Sequence, residues 1–320
     1  MFGGDDKGNI FSFKVLARSR MVFLVKDNGL TKNQKLPIIK NDKEGLHMEN
    51  NKTSEGIRKQ YGTDSNLGCR IRVKRLFSTG KQSWADFLLQ NLCLESNYRI
   101  LELGCGNAIF WKARSDKIPP NTKLTLSDFS PGMVDAAKGN TGELSFVDEF
   151  AVIDAQNIPY NDDTFDIVIA NYMLYHVSDI RKALCEISRV LKPSGFFFAA
   201  TFGKDNLKEV SDIFSGFDSR INHVPEDLAK VFGLENGGSL LEEYFDSVAL
   251  KRFENSLHIT DLDSLVDYFL SYLGMGNVDE IISNDRVPQF SGYIEEAFGK
   301  NGYVDITQDE GLFISSVPRK

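Results

Sequence analysis

Residues 98–106 read Tyr98-Arg99-Ile100-Leu101-Glu102-Leu103-Gly104-Cys105-Gly106. Tyr98 to Leu103 predicts a buried strand, and the glycines that follow allow a tight turn that a ligand can approach closely. The same grammar repeats downstream. Thr122 to Asp128, with Leu124 and Leu126 alternating, predicts a second strand. Ser130-Pro131 then gives a capping residue followed by proline at the first helical position, with a helix through Met133, Val134, Ala136 and Ala137. Phe150-Ala151-Val152-Ile153 predicts a third strand ending at Asp154. Phe165 to Asn171 predicts a fourth, apolar enough for burial on both faces. Ile180, Ala183, Leu184, Ile187, Val190 and Leu191 share one helical face, and Pro193 and Gly195 are expected to end that helix. Gly195 to Thr201 is the fifth strand.

Strand and helix in strict alternation imply an α/β fold, a doubly wound Rossmann-like sheet with a helical cap and an insertion. Four domains are expected. Residues 1–47 carry nine Lys/Arg against five Asp/Glu and no clear periodicity, which suggests a peripheral extension, either disordered or upstream of the functional start. Residues 48–83 are read as an amino-terminal cap or lid, and 84–203 as the core, entered by a helix from Trp84 to Leu92 that Ser83 caps. Residues 204–320 are read as a helical substrate cover, with Asp261 capping one helix, plus terminal strands near 246–254 and 312–317.

In an open α/β sheet the ligand sits outside the carboxyl ends of the strands, where the polar residues of this chain gather. A dinucleotide fingerprint wants a third glycine at position 109, which is Ile109 here. Glu102, two places before Gly104, would repel a pyrophosphate. It would attract a ligand carrying an ammonium and a sulfonium, which favours S-adenosylmethionine over a nicotinamide dinucleotide. Asp128 lies 22 residues after Gly106 and can accept hydrogen bonds from both hydroxyls of a ribose. Asp154 can accept the exocyclic amine of adenine, with the next backbone N–H serving a ring nitrogen. Each acid also has a plainer reading, as a cap or a turn former.

The 320-residue chain carries 37 basic and 45 acidic residues, a net −8 that argues against a nucleic-acid footprint. No secretory signal opens the chain, and Met21 to Val25 is far too short to span a membrane. Its four cysteines, Cys69, Cys93, Cys105 and Cys185, form no Cys-x-x-Cys pair, so a reducing cytoplasm is the simplest setting and no metal is expected.

Leu101 to Gly106, Ser127-Asp128, Asp154 to Pro159, Phe165-Asp166 and Arg189 to Gly195 together resemble class I S-adenosylmethionine-dependent methyltransferases, in particular the small-molecule branch that includes the quinone-biosynthesis enzymes. The likeness spans about residues 84–203 and extends to Tyr61, Leu67 to Arg70 and Phe77 to Thr79 of the cap. Ser194 stands where the family usually has glycine, and Asn107 where it often has threonine or serine. The resemblance implies that Glu102, Gly104, Cys105 and Gly106 hold the methionine end of the cofactor. It places Asp128 on the ribose, Phe129 and Met133 near the adenosine, Asp154 and Ala155 on adenine, and the Asn171 backbone near the ammonium. Tyr61 and Arg70 belong to the lid.

In this fold the segment Asn171 to His176 borders the transferred methyl group. His176 is the candidate base for a hydroxyl or amine proton, or else it packs or caps the next helix. Tyr172 and Tyr175 either line the pocket or belong to the core. Methyl transfer needs no strong base, because the cofactor brings its own electrophile and the protein supplies in-line alignment. The expected function is methylation of oxygen, nitrogen or carbon on a small molecule by a monomer or homodimer. The alternative is a non-catalytic S-adenosylmethionine- or S-adenosylhomocysteine-binding module that partners another protein.

Overall fold

Strand β4 (Phe165–Asn171) shows how the sequence builds this core. Its residues alternate between two buried faces, Ile167 and Ile169 on one and Val168 and Ala170 on the other, and all four are at most 1% exposed. Such a strand must be covered by helices on both sides. The computed structural model, which describes residues 64–222 and 225–319, supplies that cover. The extension expected at 1–47 and Tyr61 lie outside the described residues.

Seven strands form one sheet in the order β3-β2-β1-β4-β5-β7-β6. Strands β1 (Arg99–Leu103), β2 (Lys123–Asp128), β3 (Val147–Val152), β4 and β5 (Leu191–Phe202) are parallel. The winding direction reverses between β1 and β4, which opens a crevice at their carboxyl ends. Strands β6 (Phe245–Ile259) and β7 (Val304–Pro318) add an antiparallel edge.

The described chain enters with α1 (Asp64–Phe77), and α2 (Trp84–Asn91), the short α3 (Ile109–Lys112) and α4 (Pro131–Thr141) cover one face of the sheet. Here Leu88, Trp111, Leu124, Ile167 and Leu312 pack together. The opposite face takes α5 (Ile180–Val190) and, beyond α6 (Lys208–Phe217), the helices α7 (Pro225–Val231) and α8 (Gly237–Leu241), and Leu184, Ile187, Phe197, Phe232 and Phe313 fill it. A further apolar cluster forms a lobe on the projecting ends of β6 and β7. It joins Val73 of α1 and Phe214 of α6 to α9 (Leu262–Leu270), α10 (Val278–Ile281) and α11 (Val287–Gly299).

Several local expectations shift. β6 and β7 are longer than predicted, because their outer halves pair with each other from Glu254–Asp309 to Ile259–Val304 beyond the last β5 pair, Phe202–Glu310. Polar runs such as Glu254-Asn255-Ser256 hide that continuation from periodicity. α5 stops at Val190 and β5 starts at Leu191, so Pro193 and Gly195 lie inside a strand rather than ending a helix. β-Strand pairing of Leu191 with Phe165 imposes this boundary. Ser130 occupies the cap position of α4, but its side chain makes no cap bond. Asp128 Oδ1 instead accepts the Ser130 N–H at 2.8 Å. Ser83 and Asp261 do cap their helices, accepting from Asp86 N and Ser264 N. β3 ends at Val152, two residues short of Asp154.

Candidate functional site

Three turns at adjacent strand ends carry most of the residues singled out by sequence. The turn after β1 runs through left-handed backbone at Gly104 (φ 68°) and Gly106 (φ 56°). A Cβ on Gly104 would lie 2.8 Å from Met173 Cβ, so that glycine lets the β4 loop close over the turn. A Cβ on Gly106 would meet nothing within 4 Å, so this glycine borders open space. The Cys105 N–H donates to Ser127 O at 2.8 Å and the Gly106 N–H to Asp128 Oδ2 at 3.0 Å. Those amides fix the turn to β2. Burial holds the Cys105 thiol well above its ordinary range, so it stays protonated.

Asp128 thus stitches two turns together, accepting from Gly106 and Ser130. Burial raises its carboxyl, and those backbone bonds offset part of the rise. A carboxylate has about four lone-pair sites, so capacity remains for hydroxyl donors. Phe129 beside it is 49% exposed, as is Val152 at 55% on the end of β3. Two exposed apolar side chains at neighbouring strand ends suit a flat ring. Val152 was not foreseen as a site residue, since inside an apolar strand it looks like core. Met133 sits half-buried in the first turn of α4.

Glu102 is 3% exposed and its Oε2 accepts the Trp111 indole N–H at 2.5 Å. Burial pushes its carboxyl up to about 7, Asp128 adds a smaller push, and the indole bond pulls the other way. A cation placed here would reverse that balance. Asp154 closes a turn on itself, its Oδ1 accepting Gln156 N at 2.9 Å and Gln156 Nε2 at 3.0 Å. Its Oδ2 takes a longer bond from Gln156 Nε2 at 3.3 Å and keeps lone-pair capacity, next to a buried Ala155. A ligand offering a cation to Glu102 and hydroxyls to Asp128, with an adenine ring beside Phe129, fits this donor set.

At the end of β4, Asn171 Oδ1 accepts the Trp84 indole N–H at 3.1 Å. Tyr172 adopts a left-handed φ of 57°, which costs a non-glycine residue about 1 kcal/mol or more and is typical of functional turns. Its ring packs on Trp84 at 4.9 Å and its hydroxyl is buried. Tyr175 belongs to the core, 8% exposed and packed on Phe202 at 4.9 Å. His176 lies edge-on to Tyr175 at 4.6 Å.

Arg70 sits on α1, donates to Ser271 O at 2.5 Å and lies 5.3 Å over the Tyr272 ring. One helical turn on, Lys74 Nζ pairs with Glu310 Oε1 at 2.6 Å. Glu310 is 4% exposed and lies beside the Tyr172 hydroxyl, and its charge also helps raise the Tyr268 and Tyr272 hydroxyls, which burial raises first. Sequence reasoning missed Lys74, Glu310 and this tyrosine pair. An acid in Gln308-Asp309-Glu310-Gly311 reads as solvated until β6 and β7 are paired around it.

Comparison with known proteins agrees with this geometry. Residues 101–199 match the family described as a methyltransferase domain. A demethylmenaquinone methyltransferase from Staphylococcus epidermidis is 29% identical over 132 residues, 41% of this chain and 54% of its own length. A ubiquinone/menaquinone biosynthesis C-methyltransferase from Rickettsia rickettsii is 30% identical over 170 residues, 51% of this chain and 66% of its own length. The chain therefore spans from about half to about two thirds of the length of these relatives. The crystal structure of the YcgJ protein from Bacillus subtilis aligns with a TM-score of 0.50 at 20% identity, covering 74% of this chain and 98% of that one, a likeness of fold. Over residues 101–199, whose turns form this strand-edge site, the chain is similar to the methyltransferase domain family.

Proposed function

We propose that this protein transfers the methyl group of S-adenosylmethionine to oxygen, nitrogen or carbon of a small organic acceptor. The observation that carries this reading is Glu102, a buried carboxyl beside an open glycine turn, whose charged neighbour is another acid. A cationic ligand end relieves that arrangement. In this reading Glu102 faces the ammonium, while Gly104, Cys105 and Gly106 give the backbone curvature that lets the cofactor in. Asp128 takes the ribose hydroxyls. Phe129, Met133 and Ala155 flank the adenine, with the second oxygen of Asp154 available to its amine. Asn171, held by Trp84, shapes the end near the methyl group.

When bound, S-adenosylmethionine supplies an electrophilic methyl group on a sulfonium that departs as a neutral thioether. The protein's part is alignment and exclusion of water. The lobe on the β6–β7 arms, closed by α1 and Arg70, serves as the cover. The placement of Tyr175 in the core leaves Tyr172 as the better candidate to touch the acceptor. His176 keeps its proposed role as an alternative proton acceptor. The relatives' names, which refer to menaquinone and ubiquinone biosynthesis, favour a small acceptor over a macromolecule. Among the described residues no helix is long and apolar enough to cross a membrane. All four cysteines are free, which suits a cytoplasmic monomer or homodimer.

Calorimetry tests the reading directly. S-adenosylmethionine and S-adenosylhomocysteine are expected to bind and NADH not to bind. Tight NADH binding with no affinity for either sulfur nucleoside would overturn it.

A further inference from the structure

The chain has two tryptophans, and each donates its indole N–H to a polar side chain at a strand end beside the crevice. Trp84 holds Asn171 at the end of β4, and Trp111 holds Glu102 on β1, the neighbouring strand. The second pair is the tighter and the deeper. Trp111 Nε1 lies 2.5 Å from Glu102 Oε2, Trp111 is fully buried and Glu102 is 3% exposed. The indole is locked in place, edge-on to Phe110 at 4.9 Å and packed among Leu88, Leu124 and Phe146. Backbone strain supports the same contact. Ala108 is left-handed at φ 55°, an unfavourable conformation for a residue with a Cβ, and it turns the chain into α3 so that Trp111 comes back to β1.

We infer that Trp111 is a positioning residue for the cofactor: it holds Glu102 as a carboxylate, with one oxygen fixed and lone pairs left for the ammonium of S-adenosylmethionine. This inference rests on the methyltransferase reading and adds the residue that regulates its cationic subsite. The surroundings of Glu102 show why a donor is needed. β2 lays Leu126 beside it and β4 lays Ile169, both apolar and buried. Its ionisable neighbours are Asp128, an acid, and the Cys105 thiol. Neither favours a negative charge on Glu102. Trp111 does, because an indole N–H can only donate, and a donor bonds a carboxylate more strongly than a neutral carboxyl. The neutrality of the indole matters equally. A lysine or arginine in its place would cancel the carboxylate and repel an incoming ammonium. The indole supports the charge without cancelling it, so a cation on the ligand remains the partner that Glu102 lacks.

Two consequences separate this role from that of a tryptophan that merely fills the core. Trp111 acts on the ligand end that carries a cation and on no other. A nucleoside without the amino-acid tail, 5′-methylthioadenosine, has a ribose for Asp128 but nothing to offer Glu102. The role also depends on pH. Removal of the indole bond leaves burial and Asp128 unopposed, so Glu102 then keeps its proton to a higher pH and must be stripped of it before a cation can bind.

Calorimetry on the full chain with S-adenosylhomocysteine and 5′-methylthioadenosine tests this. At pH 7, Trp111→Phe is expected to weaken S-adenosylhomocysteine by about fivefold or more and 5′-methylthioadenosine by less than about twofold. The pH below which S-adenosylhomocysteine affinity fades is about 7 in the unsubstituted protein and is expected to rise in the variant. Indole emission gives a second readout that needs no ligand. In the unsubstituted protein it should change as pH crosses about 7, and both Glu102→Gln and Trp111→Phe should abolish that change. The comparison with Glu102→Gln carries this readout even where Trp111→Phe proves too unstable to use. Unchanged S-adenosylhomocysteine affinity, equal weakening of the two nucleosides, an unmoved pH profile, or emission indifferent to Glu102 overturns the inference. Emission that follows Glu102 in a chain binding neither nucleoside would keep the Trp111–Glu102 pair and reject the methyltransferase reading instead.

Discussion

The polar atoms of the strand edge come from residues 102–106, 128–130 and 154–156, each set a single turn whose atoms bond to one another or to the next turn. Those facing the lobe come from Arg70 and Lys74, Tyr268 and Tyr272, and Gln308 and Glu310, brought together from three distant stretches. Local turns anchored on a parallel sheet are stiff without help from elsewhere. The lobe depends on its own core, so it can loosen while the strand edge stands. That independence can be attacked at Phe290, which is fully buried, stacks on Phe214 at 5.3 Å and packs edge-on against Phe217 at 5.0 Å. Phe290→Ala should cost about 3–5 kcal/mol of stability in denaturant titrations. S-adenosylhomocysteine should still bind within about threefold of its affinity for the unsubstituted protein. Loss of that binding together with stability would show that the two regions are one cooperative unit.

On the strand edge the largest expected effect is at Asp128. Asp128→Ala removes the acceptor of two backbone N–H groups and the proposed ribose ligand together. Calorimetry should show S-adenosylmethionine affinity lower by about a hundredfold, equivalent to ~2.7 kcal/mol. Unchanged cofactor affinity would remove Asp128 from the site.

Glu102 makes the same region sensitive to pH. Its folded-state value of about 7 lies above the ordinary 4.5, so the fold favours the protonated form. The stability this contributes is present in full below 4.5 and is lost as pH rises through about 7, on the order of 3 kcal/mol. A cationic ligand must displace that proton. Affinity for S-adenosylmethionine should therefore weaken by up to tenfold for each pH unit below about 7, and Glu102→Gln should flatten the dependence. A flat profile in the unsubstituted protein would place the ammonium elsewhere.

These two regions were not equally legible. An apolar run followed by glycine or aspartate is a local pattern, so β1, β2, β4, Gly104, Gly106 and Asp128 could be read from neighbours in sequence. Glu310 could not, because its burial depends on Phe253 across β6 and on Lys74 from a helix 236 residues away. Helix α1 was hidden for a related reason. Only Val73 among its described residues is fully buried, so its apolar periodicity is faint. Pro193 misled in the opposite direction. A residue that usually stops a helix here sits within β5, where sheet pairing has already taken over at Leu191.

The smallest effect separates the two faces of α1. Arg70 and Lys74 lie four residues apart and so share one side of the helix, toward Tyr272 and Glu310. Arg72, between them, points to the other side and pairs with Asp267 at 2.9 Å, with both side chains about half exposed. A pair so open to water gains little, because solvent screens the attraction and two long side chains must be ordered to make it. Arg72→Ala should change stability in denaturant titrations by no more than about 0.5 kcal/mol. Lys74→Met removes the partner of a buried carboxylate, and should cost about 1–3 kcal/mol in the same titrations. The contrast turns on burial alone, since both residues are cations on one helix reaching an acid in the same lobe. Equal effects from the two substitutions would mean that burial does not separate the two pairs, and the Lys74–Glu310 pair would lose its special place.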